Sequence, residues 1–181
     1  MNNYKELFTT ASQTSKELKL YDEDVLLNNK EYIAEWLMYE LGPKIGSTFT
    51  QEQFINFLSR PQNAIRLHHF FKPIVDELLK VNSIITTGFV KVANDAGEEE
   101  TFGATELEEY KAALEAGEVP EKVHSWITLP SGEIIDLAFM TIYGILYNEE
   151  SLYGNLVAKK AEDLSGGMEY HPIVIGEQFY E

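Results

Sequence analysis

His124 and Asp136 are the two residues whose types and spacing suit chemistry. They lie in Lys-Val-His-Ser-Trp-Ile-Thr-Leu (122–129) and Glu-Ile-Ile-Asp-Leu-Ala-Phe (133–139), on either side of Pro130-Ser131-Gly132. A carboxylate that holds an imidazole sets its tautomer and raises its basicity, the base-and-orienter half of a catalytic triad. The flanking runs read as a β-hairpin, and side chains alternate across a strand, so His124, Trp126 and Thr128 share one face. A three-residue loop pairs Leu129 with Glu133 and therefore Trp126 with Asp136. His124 and Asp136 then lie diagonally on one face, about 7–8 Å apart at the backbone. A two-residue loop would send them to opposite faces. The same residues also suit a hydrogen-bonded structural pair.

A triad needs a nucleophile, and the chain has no cysteine, which excludes a thiolate, a disulfide and a thiolate metal site. The remaining candidates for cofactor or metal chemistry are poor. His68 and His69 are neighbours on a predicted helix, so their rings point about 100° apart and cannot chelate one ion; one should pack while the other meets solvent. His171 precedes Pro172 with no second ligand at metal spacing. Asp22-Glu23-Asp24 lacks the glycine and terminal glutamate of a calcium loop, and Gly166-Gly167 lacks a phosphate-loop lysine. No metal and no cofactor are therefore expected.

These residues must be positioned by the following elements. An N-terminal helix carries Leu7, Ala11, Leu18 and Leu20. A second, with Tyr32, Ile33, Trp36, Leu37, Tyr39 and Leu41, should end at Gly42-Pro43. Thr50 and Gln53 have capping-box spacing before a helix that stops at Pro61. A long helix from about Gln62 to Lys80 is apolar over most of its circumference, so it should be central and buried, with Pro73 either kinking it or dividing it. Residues 83–93 read as a strand. Residues 94–121 hold ten acids against one base, Lys111, and read as an acidic loop with one short helix started by a Thr105/Glu108 capping box and stopped at Gly117. The segment after Phe139 fits either a helix or extended chain, and 170–180 fits an edge strand because Pro172 cannot donate to a ladder. The expected fold is α+β: N-terminal helices and a buried central helix on an antiparallel sheet of four or five strands.

The order around His124 resembles the transglutaminase-like branch of the papain-like fold. In that family a cysteine begins a buried helix, and a strand, a His-x-Trp strand and a partner strand ending in Ile-Asp follow. The matching segments are Ser59-Arg60-Pro61-Gln62-Asn63-Ala64, the strand at 83–93, His124-Ser125-Trp126, and Gly132-Glu133-Ile134-Ile135-Asp136-Leu137, covering residues 59–138. The resemblance implies a helix start facing the His–Asp pair, with Arg60 at the missing cysteine's position. Arginine stays protonated and cannot attack a carbonyl. Ser59 is the remaining hydroxyl, and Trp126, Arg60, Gln62 and Asn63 would line a cleft. The implied organisation is one domain over 1–181: a helical lead-in (1–58), the core (59–138) with its 94–121 insertion, and a C-terminal extension (139–181).

Formal net charge is −16 with 44% apolar residues, which suits a packed core and disfavours nucleic-acid phosphates or anionic membranes as direct partners. No secretory signal or transmembrane run is read, so a cytoplasmic protein is expected. Three functions follow as expectations. The first is a thiol-lacking, non-catalytic domain that binds a peptide or small ligand around His124 and Asp136. The second is a hydrolase or acyltransferase that uses Ser59. The third is an acidic inhibitor of phage or mobile-element type that docks on a basic protein surface. Oligomeric state is open.

Overall fold

The computed structural model describes residues 3–25, 27–33, 35–60, 62–93, 97–103, 105–120 and 122–177. Among these residues six α-helices, α1 (Tyr4–Glu17), α2 (Glu35–Thr48), α3 (Gln51–Leu58), α4 (Asn63–Leu79), α5 (Leu107–Ala116) and α6 (Phe139–Tyr147), accompany six strands: β1 (Ile84–Ala93), β2 (Glu99–Phe102), β3 (His124–Thr128), β4 (Glu133–Asp136), β5 (Val157–Lys160) and β6 (Glu169–Ile175). The architecture is α+β, and every strand pairing is antiparallel.

β1 is the hub. Thr86, Thr87 and Gly88 pair with β3 on one side and β6 on the other, while Val90 and Lys91 pair with β2 and β6. β2 and β3 therefore follow each other along one edge of β1, and β4 and β5 continue outward from β3. Period-2 alternation divides the sheet's side chains between two faces, and a third, smaller cluster joins Ile65, Tyr110, Val123 and Val174. Ile85, Ile127, Leu129, Ile135 and Leu137 pack with Leu37, Leu41, Leu58, Leu67, Phe71 and Val75 from α2, α3 and α4. On the opposite face Val90, Trp126, Ile134 and Ile175 pack with Tyr4, Phe8 and Ala11 of α1. Each fully buried Leu, Ile or Phe contributes about 1.5–3 kcal/mol over leaving it exposed.

Polar ties hold α1 and the lead-in to this sheet. Trp126 Nε1 donates to Tyr4 Oη at 2.7 Å, Tyr4 Oη and Thr128 Oγ1 share a bond at 2.7 Å, and Thr128 shares another with Thr86 at 2.7 Å. Ser15 Oγ donates to the Ala11 carbonyl and accepts the Ile175 N–H, both at 2.8 Å. The buried Glu133 carboxylate accepts the backbone N–H groups of Tyr32 and Ile33 at 2.8 and 3.1 Å and the Ser131 hydroxyl at 2.5 Å.

Several expectations need correction. α2 runs through Gly42-Pro43 instead of ending there: both residues are exposed, so water can hydrate the carbonyl that Pro43 leaves unpaired, while Leu41 and Ile45 anchor the helix on either side. α4 is one helix across Pro73, which is also exposed. Its burial is one-sided, with Ala64, Ile65, Leu67, His68, Phe71 and Val75 inward and Phe70 54% exposed. The Thr50/Gln53 capping box forms, but Thr105/Glu108 does not, because α5 starts one residue later with Glu106 in the cap position. The acidic stretch also contains β2, and the region after Phe139 supplies α6, β5 and β6 to a sheet of six strands, not four or five. Pro61, expected to stop α3, lies outside the described residues. Among those residues, no helix is long and apolar enough to cross a membrane.

Candidate functional site

The hairpin takes the three-residue-loop register: Ile127 pairs with Ile135 and Thr128 with Ile134, and the Leu129 N–H donates to the Glu133 carbonyl at 2.9 Å. Gly132 supplies the positive φ (+83°) that closes the turn. Trp126 thereby faces Asp136, and His124 reaches it on the diagonal, with Nε2 and Oδ2 2.6 Å apart.

Asp136 is fully buried at the end of β4 and meets four partners. Oδ1 accepts the backbone N–H groups of Ala138 and Phe139, each at 2.9 Å, at the start of α6. Oδ2 accepts His124 Nε2 and the Tyr170 hydroxyl, the latter at 2.9 Å. With two backbone N–H groups and a phenolic O–H already donating, the carboxyl acts as an ionised acceptor and His124 carries its proton on Nε2. Burial by itself pushes the Asp136 carboxyl up, but attraction to His124 and its hydrogen bond outweigh that and hold it well below the usual carboxylate range. Burial, and then the Asp136 charge, push the Tyr170 hydroxyl far up, so it remains a donor.

His68 completes the cluster from the second turn of α4. Its Nε2 accepts the Leu137 N–H at 2.8 Å, so its proton sits on Nδ1, 2.7 Å from the Ala64 carbonyl. The 3.4 Å approach of His68 Nε2 to Asp136 Oδ1 is therefore not an ion pair, since that nitrogen presents a lone pair. The imidazoles of His68 and His124 sit edge to face, 6.4 Å between centroids, and His124 stacks on Trp126 at 6.1 Å. His124 Nδ1 makes no hydrogen bond among the described residues. His124 is only 3% exposed.

The residues expected to join this pair from the chain before α4 stay apart from it. Ser59 is exposed, and its hydroxyl donates to the Asn56 carbonyl at 2.7 Å, closing α3. Arg60 is exposed. Gln62 occupies the position before α4 without a side-chain cap, and Asn63 Nδ2 donates to the Phe57 carbonyl at 2.7 Å. The pair thus meets α4 at His68 and not at its first residues. Trp126 has no solvent-exposed surface. His68 and Tyr170 were not singled out by sequence reasoning as members of the site. His68 was traceable, since its spacing from Ala64, Leu67 and Phe71 puts it on the inward face, where an imidazole needs partners. Nothing local marks Tyr170.

A cleft of about 790 Å³ opens beside the cluster, between the start of α1, residues 29–31, Ser131-Gly132 and residues 160–170. Tyr4 and Tyr170 line it, and their hydroxyls belong to the buried network, so the cleft is separated from Asp136 by the Tyr170 side chain. Its walls carry Lys5, Lys30 and Lys160 together with Glu31, Glu162 and Glu169, with Lys160 paired to Glu31, so it is locally neutral in a strongly acidic chain. Among the described residues no group of three or more His, Asp or Glu is arranged to hold a metal ion. Comparison with protein-family models, with curated proteins and with solved structures finds no match for this chain.

Proposed function

We propose that the chain is a thiol-lacking, transglutaminase-like domain of the papain-like fold that binds a peptide or small polar ligand and does not cleave it. The observation that carries this reading is Tyr170, one side chain that both lines the cleft and donates to the Asp136–His124 pair. The pair has the polarity of an acid–base couple, yet among the described residues no hydroxyl hydrogen-bonds His124, and the chain has no cysteine. Without an attacking group, an oriented imidazole gives no covalent catalysis. The mixed charge of the cleft suits a zwitterionic, amide-rich ligand. Equilibrium dialysis against a pool of unprotected tripeptides, read by mass spectrometry, tests this. The expected result is retention of intact peptides, weakened by Tyr170→Phe. Absence of retention refutes binding, and appearance of cleavage products refutes the non-catalytic assignment. Labelling of Ser59 by a fluorophosphonate would favour the hydrolase instead.

A second reading has its own observation. Glu98, Glu99, Glu106, Glu108, Glu109, Glu115 and Glu118 are all exposed on the β2–α5 segment, a surface suited to a basic protein. Retention on immobilised polylysine that falls steeply with salt and is lost in Glu98→Gln/Glu99→Gln/Glu100→Gln supports it; salt-independent retention argues against it.

A further inference from the structure

β5 ends the run of strands that continues outward from β3 through β4, and its alternation sends Val157 to the α1-side core and Ala158 to the core built on α2, α3 and α4. At this edge both cores reach the surface. A groove of about 450 Å³ opens there between α2, the start of α6 and residues 154–168. Met38, Met140, Met168, Leu156 and Leu164 line it, and all five are half-buried. Met140, Leu164 and Met168 rest on the α1-side core and Leu156 on the helical one, so the floor is packed from beneath while part of each side chain stays uncovered. Three of the chain's four methionines converge here, and unbranched thioether side chains re-pack around apolar groups of differing shape.

Two observations bear on what the groove holds. Leu164 and Met168 also line the Tyr4–Tyr170 cleft, so the two concavities share a wall and one extended ligand can enter both. Lys159 is the only charged side chain on the groove's walls, and no ion pair engages it among the described residues. In a chain of net charge −16, an apolar groove with one lysine and no carboxylate favours a group that is apolar and carries a negative end. Beyond the shared wall, the cleft supplies Glu162 and Glu169, which suit an ammonium group.

We propose that the methionine-lined groove is the specificity pocket of the cleft: it takes the last residue of a peptide when that residue is large and apolar, with the free carboxylate at Lys159. This rests on the peptide-binding reading of the Tyr4–Tyr170 cleft and adds which peptides are bound and in which direction, the amino end lying toward Glu162 and Glu169. Gly42 offers a way to close the groove without disturbing the fold. It is exposed on α2, one helical turn after Met38, and a Cβ built on it meets nothing within 4 Å. A leucine at this position leans toward Met38, because helical side chains tilt toward the N-terminus, and so occupies the groove.

The test is a titration of protein carrying carbon-13 in its methionine methyls, read by NMR, with Gly-Gly-Leu, its isomer Leu-Gly-Gly, and Gly-Gly-Gly. The two leucine peptides share composition and charge and differ only in which end is apolar. Gly-Gly-Leu should bind at least about tenfold more tightly than either of the others, the scale set by burying one leucine side chain. The Met38 and Met140 methyl signals should move with Gly-Gly-Leu alone, whereas Met168, which lines both concavities, should move with all three. Gly42→Leu should abolish the preference and leave Gly-Gly-Gly binding unchanged. Amidating the carboxyl end should weaken Gly-Gly-Leu about threefold in the wild type and not in Lys159→Gln, as expected for an exposed ion pair. Equal affinities, or Met38 and Met140 signals that stay fixed while Met168 moves, would overturn the groove and leave the cleft reading standing. No movement of any methionine with any peptide would remove both. Octanoate, an apolar chain with a carboxylate and no peptide, should bind more weakly than Gly-Gly-Leu; tighter binding would overturn the assignment to a peptide.

Discussion

Replacing Asp136 by Asn isolates the energetic role of the buried pair. The side chains are nearly isosteric, and the Asn carbonyl can keep both Oδ1 contacts, to the Ala138 and Phe139 N–H groups. The amide NH₂ then stands where Oδ2 accepted His124 Nε2 and the Tyr170 hydroxyl, so donor faces donor at two points unless His124 moves its proton to Nδ1 and the Tyr170 hydroxyl turns away to accept, each at the loss of a charge-assisted bond. Hydrogen bonds to a charged group contribute about 1.5–3 kcal/mol each, and breaking a buried pair by removing one partner costs about 3–5 kcal/mol. A loss of about 3–5 kcal/mol is therefore expected at pH 7. At roughly 2–4 °C per kcal/mol for a chain of this size, the melting temperature should fall by about 10 °C. The pH dependence has a definite sign. Asp136 is held below its unfolded value, so its contribution is complete above the unfolded pKa of about 3.9 and is lost as pH falls from there toward the folded value. The gap between wild type and variant, followed by circular dichroism in urea, should be widest at neutral pH and narrow below about pH 4. A gap under about 1 kcal/mol at pH 7, or one that widens on acidification, would refute the reasoning.

Other consequences can be checked separately. Tyr4→Phe strands Trp126 Nε1 and removes the bond to Thr128, so urea titration should show a loss of about 1–3 kcal/mol; under about 0.5 would contradict the ladder. Glu133→Ala should speed amide exchange at Tyr32 and Ile33, which the carboxylate holds, while α4 amides keep their protection; unchanged exchange at 32–33 would count against it. Gly88→Ala puts a Cβ 2.1 Å from the His171 carbonyl oxygen, a backbone clash that should cost more than about 4 kcal/mol, and a near-native melting temperature would show that β6 can yield. Ser59→Ala, at an exposed helix end, should change stability by less than about 0.5 kcal/mol and leave peptide retention intact.

The hairpin was legible because parity is a strong constraint: Pro130-Ser131-Gly132 between two alternating runs specifies the register, and the register puts His124 and Asp136 on one face. β1 was legible from its β-branched residues and α3 from its capping box. Helix ends were harder to read, because Pro43 and Pro73 break helices only where the freed carbonyl lacks water, and exposure is a tertiary property. β2 and β5, four residues each, carry Glu-Glu-Thr-Phe and Val-Ala-Lys-Lys, which have little strand character and are strands because β1 and β4 offer them an edge. The α4 contribution was placed a turn too early, since the resemblance pointed to the helix start while one-sided burial brings His68 inward. Tyr170 belongs to the cluster through a β1–β6 pairing that crosses a bulge between Thr87 and Gly88, which no local pattern announces.

Nitrogen-15 spectroscopy of the four imidazoles bears most directly on the assembled pair. The geometry predicts His124 protonated at Nε2 with that proton strongly deshielded, His68 protonated at Nδ1 alone, and loss of the deshielded signal in Asp136→Asn. A His124 ring carrying its only proton on Nδ1, or a signal indifferent to Asp136→Asn, would contradict it.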